Sequence, residues 1–181
     1  METSFYTPDE LQMIGFKSVG NNVLISKKTS IYSASQISIG NNVRIDDFCI
    51  ISGSVTIGCN IHIAAYVALY GKNGIVMEDY TGISARSTIY SAMDDFSGEH
   101  LIGPIHAPED VLITGGVVHM KKFSQIGAHC VIFPNLVIEE GAVVGACSLV
   151  RNSIDPWSIY YGIPAQKRKE RSKGLLNNIK C

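Results

Sequence analysis

An aliphatic residue at every sixth position constrains this chain more than any other feature. From Ile39 the series runs through Ile45, Ile51, Ile57, Ile63 and Leu69. It resumes at Met77, Ile83 and Ile89, stops, and returns as Met120, Ile126, Ile132, Ile138, Val144 and Val150. A period of six matches neither the 3.6 of a helix nor the 2 of an ordinary strand. It is the period of hexapeptide repeats wound into a parallel β-solenoid, in which each short strand sends one aliphatic side chain into a narrow interior. Four residues after each beat a second register carries small or β-branched residues, among them Val43, Cys49, Val55, Val67, Thr81, Ser87, Ser124, Cys130, Ala142 and Ser148. Three hexads to a triangular coil place residues about eighteen apart on one face, separated by about 4.8 Å. Weaker beats at Ile25 and Ile31 predict that winding starts before Ile39, and Asp155-Pro156 stops it after Val150.

Such a stack has exposed ends and needs caps. Thr7-Pro8-Asp9-Glu10 is a helix start, with Thr7 and Glu10 spaced as a capping box. The expected organisation is an N-terminal helical cap over 1–20, a β-solenoid over 21–154, and a C-terminal cap over 155–181 with a helix from Ala165 to Lys180 interrupted near Gly174. The beat is broken once at length, by a protruding loop over 92–112 that carries Asp94, Asp95, His100 and His106. A long loop inside a compact repeat domain is more often functional than decorative.

Composition narrows the function classes. A formal charge of −1 over 181 residues leaves no footprint for nucleic acid and no generally membrane-seeking surface. No apolar run approaches the eighteen or so residues of a membrane span. The first residues lack the basic-then-apolar order of a signal peptide, so cytoplasmic residence is expected. The five cysteines show neither CxxC nor metal-ligand spacing, and no metal is expected. Cys49 and Cys130 fall in the small interior register; Cys59, Cys147 and Cys181 have no obvious partners.

The hexads, the single loop and the closing Ser148-Leu149-Val150, Pro156-Trp157 and Gly162-Ile163-Pro164-Ala165 resemble the hexapeptide-repeat acyltransferases. His62-Ile63-Ala64-Ala65-Tyr66, Ile89-Tyr90-Ser91 and Asp94-Asp95-Phe96-Ser97-Gly98 look like the sugar O- and N-acetyltransferases of surface-polysaccharide biosynthesis. The resemblance implies a left-handed β-helix, a homotrimer with sites between subunits, acetyl-CoA as donor, and a sugar amine or hydroxyl, nucleotide-linked or glycan-bound, as acceptor. By family position Ala128, Ala146, Ser148 and Arg151 would line the cofactor groove. Gly162 to Ala165 would flank the adenine, and Lys167, with Arg168, Lys169 and Arg171, would neutralise the CoA phosphates. The chain departs from the family pattern in three places. Asp94 or Asp95 stands where many relatives have a loop histidine, Asn135 follows Pro134 in place of glycine, and Cys147 replaces a glycine of the cofactor-lining segment.

Acyl transfer from a thioester needs a deprotonated nucleophile, a donor aimed at the carbonyl oxygen, and alignment of both. A hydroxyl wants a base near neutrality, such as histidine, whereas an amine needs mainly to be held and freed of its proton. The loop carboxylates therefore tilt the acceptor slightly toward an amino sugar. The catalytic candidates are His62, Asp94 and Asp95. His62 precedes the inward Ile63 and points outward. In the coil model Gly82 would stand above it and His119 above that, each preceding its own beat. His62 and the loop root fall at different corners of the triangle, so they would meet only across a subunit boundary. Two rivals come from other classes: a non-catalytic assembly solenoid, and a carbonic-anhydrase-like metal enzyme, for which His62 and His119 would supply two of three ligands.

Overall fold

The computed structural model describes residues 4–179; Cys181 and the end of the expected tail helix at Lys180 lie outside them. The described chain is a parallel β-solenoid of about seven turns. Three columns of short strands form its three faces. The first face stacks Val23–Ile25, Val43–Ile45, Ile61–Ile63, Gly82–Ile83, Gln125–Ile126, Val143–Val144 and Ser158–Tyr161. The second holds Ser30–Ile31, Thr88–Tyr90, Val131–Ile132 and Leu149–Val150, together with the opening halves of two long strands, Ile50–Ile57 and Ala68–Met77. The third holds Ser18–Val19, Ile37–Ile39, the closing halves of those two strands, Val118–Met120 and Leu136–Ile138. Among the described residues no helix is long and apolar enough to cross a membrane.

The interior follows from the six-residue period. Ile25, Ile45, Ile51, Ile63, Leu69, Ile89, Met120 and Ile132 are wholly enclosed. Burying each such side chain contributes about 1.5–3 kcal/mol. The second register fills the corners: Cys49, Val67, Cys130 and Ala142 are buried beside the beats. Burial pushes the Cys49 thiol up to about 11, so it stays a compact, protonated hydrophobe.

The long loop does not disturb the stack. Met77 lies beside Met120, Ile83 beside Ile126 and Ile89 beside Ile132, as if the intervening residues were absent. The loop's roots are more regular than the sequence predicts: Ala92–Asp94 and Ile113–Gly115 form an antiparallel pair, and Pro108–Asp110 is a short 3-10 turn. Gly115 is required there. Its φ of 147° and the close approach of the Ser91 carbonyl leave no room for a Cβ.

The expected helix start is present, although a solenoid strand already begins within residues 1–20. Helix Pro8–Met13 carries the capping box, with Thr7 Oγ1 accepting from the Glu10 amide at 3.2 Å and Glu10 Oε2 accepting from the Thr7 amide at 2.7 Å. Winding begins at Ser18–Val19, before Ile39.

The C-terminal helix is corrected. Gln166–Glu170 is a strand that runs antiparallel to Ser158–Tyr161, followed by a 3-10 turn at Gly174–Asn178. The last strand of the first face would otherwise end with an unpaired edge, and the tail satisfies it, which outweighs helix propensity. The charges of Lys167, Arg168 and Lys169, all exposed, then guard the new edge.

Ile63→Ala should cost about 2–5 kcal/mol, because the filled coil cannot collapse around the lost volume. Thr7→Ala, which removes the cap, should cost about 1 kcal/mol. Equilibrium denaturation of both variants checks the order of the two effects.

Candidate active site

A filled interior leaves only the outer columns for chemistry. On the first face the outward residues between the beats are Leu24, Arg44, His62, Gly82 and Gln125 in successive coils. His62 is exposed, and its Nε2 lies 2.7 Å from Asp46 Oδ2. Asp46 Oδ1 in turn accepts from Arg44 Nε at 2.7 Å. Burial pushes the Asp46 carboxyl up, but the bonds from His62 and Arg44 outweigh it and hold the group below its usual range. The carboxylate thus holds the imidazole ring through Nε2.

Above His62 the strand carries Gly82, as the coil count predicts, but the next residue in the column is Gln125 and not His119. His119 stands on the third face between Val76 and Val137. Its Nε2 lies 2.9 Å from Glu78 Oε1 without the alignment of a hydrogen bond. Gln125 fills the space that glycine leaves: its Nε2 donates to the Tyr80 carbonyl at 2.9 Å, and its Oε1 lies 2.5 Å from where a Gly82 Cβ would be. His62, Gly82, Ser84 and Gln125 together line a cleft of about 360 Å³.

The loop carboxylates divide the work expected of them. Asp95 is committed to the loop itself. It accepts from the Ser97 amide at 3.0 Å, the Ser97 hydroxyl at 2.6 Å and His100 Nδ1 at 2.9 Å. Those bonds, Ser97's first, hold its carboxyl down at about 2. It is a turn former, and His100 is its partner. Asp94 sits one residue earlier, in the paired root of the loop opposite Ile113, half-buried. It lines a second and larger cleft of about 770 Å³, with Gln36, Ser52, Tyr70, Lys72 and Tyr90. His62 and Asp94 therefore line different clefts of one chain, at different corners. His106 lies in neither.

The residues expected along a cofactor groove are not all brought together. Ala128 and Ala146 stack at the corner that ends the first face, half-buried and exposed respectively, with Cys147 beside them at φ 56°. The backbone there keeps the left-handed geometry a glycine would adopt, and the Cys147 amide donates to the Ala128 carbonyl at 2.8 Å. Asn135 likewise holds φ 58° at its turn. Ser148 is buried, however, and its hydroxyl is used inside the protein: it donates to the Gly145 carbonyl at 2.7 Å and accepts from the Gly162 amide at 3.1 Å. Arg151 follows the second-face strand and lies over the Phe133 ring at 5.6 Å, at the other end of that face. Lys167 is paired with Glu170 at 2.9 Å and Asp155 at 3.4 Å. Arg171 points its Nη1 at the carbonyls of Phe123 and Gly141, which ties the tail to the solenoid.

Comparison with known proteins bears on this arrangement. No family model matches the chain. A dTDP-4-amino-4,6-dideoxy-D-glucose acyltransferase of Escherichia coli is 43% identical over 173 residues, covering 93% of this chain and 90% of its own. The chain belongs to the hexapeptide-repeat sugar acyltransferases. The S84C variant of AntD, an N-acyltransferase from Bacillus cereus, solved in complex with dTDP-4-amino-4,6-dideoxyglucose and coenzyme A, superposes with a TM-score of 0.95 at 54% identity, over 98% of this chain and 96% of that one. A putative acetyltransferase of Bacillus cereus, at 18% identity and TM-score 0.61, shares the fold. This chain is thus an acyltransferase and not an inert solenoid. His62 and His119, the two ligands that the metal-enzyme rival would use, lie on different faces of the chain, and no group of three candidate ligands occurs among the described residues.

Asp46, Ser84 and Gln125 were missed in the sequence. Arg44 and Asp46 stand one coil before His62, and an eighteen-residue count would have found them. Gln125 required knowing where the chain rejoins the stack.

Acid should loosen the loop through Asp95. Its carboxyl is depressed in the folded state, so its contribution is complete above the usual carboxylate range and fades as pH falls toward about 2. Limited proteolysis between Asp95 and Leu112 across pH 2–5, with an acid-active protease, should show rising cleavage at the low end. Asp95→Asn should show it throughout.

Proposed function

We propose that the protein transfers an acyl group from acyl-CoA to the 4-amine of a nucleotide-linked 4-amino-4,6-dideoxy sugar, for surface-polysaccharide biosynthesis. The amine nitrogen attacks the thioester carbonyl carbon, the carbon–sulfur bond breaks, the nitrogen gives up a proton and CoA leaves as its thiol. The observation that carries this reading is the 43% identity, over 93% of the chain, to a dTDP-amino-sugar acyltransferase, together with the half-buried Asp94 in the lining of the large cleft. A carboxylate there suits an amine, which it can hold as the ammonium and orient once a proton is lost; it is a weak base for a hydroxyl. AntD has been solved with substitutions at its Ser84 and Asp94, and this chain has serine and aspartate at both numbers.

In this reading the working unit is a homotrimer, with Asp94 from one subunit facing His62 and Ser84 of its neighbour. The separation of the two clefts within one chain supports it. Asp46 acts through His62 as a positioning residue. The pantetheine arm follows the small corner at Ala128 and Ala146. AntD binds 3-hydroxybutyryl-CoA, so the donor here extends beyond acetyl. CoA thioesters and nucleotide sugars are cytoplasmic metabolites, which fits cytoplasmic residence.

Free-thiol release should appear when the protein meets acetyl-CoA or 3-hydroxybutyryl-CoA with dTDP-4-amino-4,6-dideoxyglucose, and not with dTDP-glucose. Release with the neutral sugar alone would overturn the amine assignment. Asp94→Asn should lower kcat by roughly 10²–10⁴-fold. Mixed trimers of His62→Ala and Asp94→Ala chains should regain part of the activity that each homotrimer lacks; no recovery would exclude a shared site.

A further inference from the structure

The tail of the chain builds a second hollow beside the His62–Ser84 cleft. Arg171 Nη1 donates to the carbonyls of Phe123 and Gly141, and Lys173 Nζ lies 5.3 Å over the Trp157 ring, so the tail is tied down where it leaves its strand. The 3-10 turn Gly174–Asn178 then lies beside the corner where the third face meets the first. Leu175 and Ile179, spaced to share one side of the turn, are half-buried, whereas Leu176 is exposed. Opposite them Tyr80 and Phe123 stack with ring centroids 5.3 Å apart. Tail and rings enclose a slot of about 550 Å³, whose lining Gln125 and Asn178 complete.

The slot adjoins the cleft, because Tyr80 and Gln125 belong to both linings. Ser84 and Tyr80 mark the two ends of the cleft, at most about 14 Å apart along the chain. Gly82 lies between them and leaves the wall low. Ala128 stands one coil above Ala85, beside Ser84, so the small corner leads to the Ser84 end and the slot opens at the Tyr80 end. Two polar groups of the slot are already spent: Gln125 Nε2 on the Tyr80 carbonyl, and Arg171 on the two carbonyls that hold the tail. What remains is mainly ring faces and aliphatic side chains, with the exposed Asn178 amide beside them.

We infer that this slot receives the far end of the donor's acyl chain, and that Leu175 and Ile179 set which acyl groups the enzyme prefers. The inference rests on the acyl-CoA reading above and adds to it the element that selects the acyl group. With the thioester carbonyl at the Ser84 end, an acetyl group stops over Gly82, short of the slot. A longer chain passes Gly82 and enters between the stacked rings and the tail, where its apolar surface leaves water. A hydroxyl on such a chain finds the Asn178 amide. The acceptor is the less suitable occupant, because a diphosphate and a sugar need free polar partners that these walls have already spent.

A series of donors tests this by calorimetry, with no acceptor present. Each methylene taken into the slot should tighten binding about fourfold, so wild type should hold hexanoyl-CoA roughly tenfold or more tighter than acetyl-CoA. Leu175→Trp and Ile179→Trp fill the slot from the tail and should remove that advantage. Leu176→Trp, on the exposed side of the same turn, should keep it. In turnover the two filling variants should lower kcat/KM for hexanoyl-CoA relative to acetyl-CoA by a similar factor. Wild-type protein gives an independent readout: hexanoyl-CoA with a diazirine at its chain end should label Tyr80 or the segment 172–179. The inference is overturned if wild type shows no chain-length advantage, if the label falls on neither, or if both filling variants, melting as wild type does, keep the advantage. It is equally overturned if they weaken CoA without an acyl group by the same factor, since the slot then holds another part of the donor. Chain-length-dependent binding without thiol release from any donor and amino sugar would sink the proposed reaction and leave the acyl slot standing.

Discussion

Backbone hydrogen bonds between coils hold every other feature in place. Each strand pairs in parallel with the strand one turn on, so that Val43 meets Ile61, Arg44 meets His62 and Ile45 meets Ile63. A slip of one residue would exchange the inward and outward sets along a strand and put Arg44 into the interior. The aliphatic beat makes that slip prohibitively costly, and register is fixed on all three faces at once. Outward residues then stand in columns as a consequence of inward ones. The His62–Asp46–Arg44 cluster and the stacked rings of Tyr70 and Tyr90 are by-products of the register that the core fixes.

Corners are where this economy is strained. Phe48, Tyr66, Tyr80, Phe123 and Trp157 all hold φ between 51° and 62°, a region that costs bulky residues about 1–2 kcal/mol each. Repetition offsets the cost. Phe48 stacks on Tyr66 at 5.0 Å with the Arg86 guanidinium 4.5 Å over Tyr66, and Tyr80 stacks on Phe123 at 5.3 Å. At the asparagine corner, Asn22 donates to Asn42 at 2.8 Å and Asn42 to Asn60 at 2.7 Å. A strained residue that recurs every coil gains a partner above and below, so the ladder stabilises what a single turn could not.

The sequence carries the solenoid almost whole, because a six-residue period has one structural meaning and the chain repeats it through nearly every coil. It carries the site only in part. His62 and Gly82 fall in one column when beats are counted, each standing one residue ahead of its own, even though Leu69 and Met77 lie eight residues apart. His119 escapes that count because the loop between Ile89 and Met120 can return the chain to any of three faces. The beat is the same on each, and only the pairing of Met77 with Met120 decides among them. The tail misleads for a different reason. Ala165 to Lys180 has helical composition, but the open edge of Ser158–Tyr161 offers more backbone hydrogen bonds than an isolated short helix could keep. Asp94 and Asp95 are chemically identical in the sequence. The chain separates them by position: one side chain faces the cleft, and the other is spent on Ser97 and His100.

The same filled core that makes the fold legible dictates where catalysis must occur. The interior of the solenoid is filled by side chains such as Ile63, Ile83 and Ile126, which leaves the outer surface for a reaction centre. Its clefts are surface grooves, and His62 is left with more than half of its side chain in solvent. Thioester aminolysis gains from exclusion of water and from fixed donors around the developing charge. One chain supplies the fixed groups but not the enclosure. The loop is the element that projects from the wall, and it carries Asp94 at its paired root with Asp95 bracing the turn beyond. Laid against the first face of a second copy, such a loop would roof the His62–Ser84 cleft and bring a carboxylate to it in one step. Enclosure and catalytic complementarity would then come from the same contact, and the rigid register of the two solenoids would set the geometry.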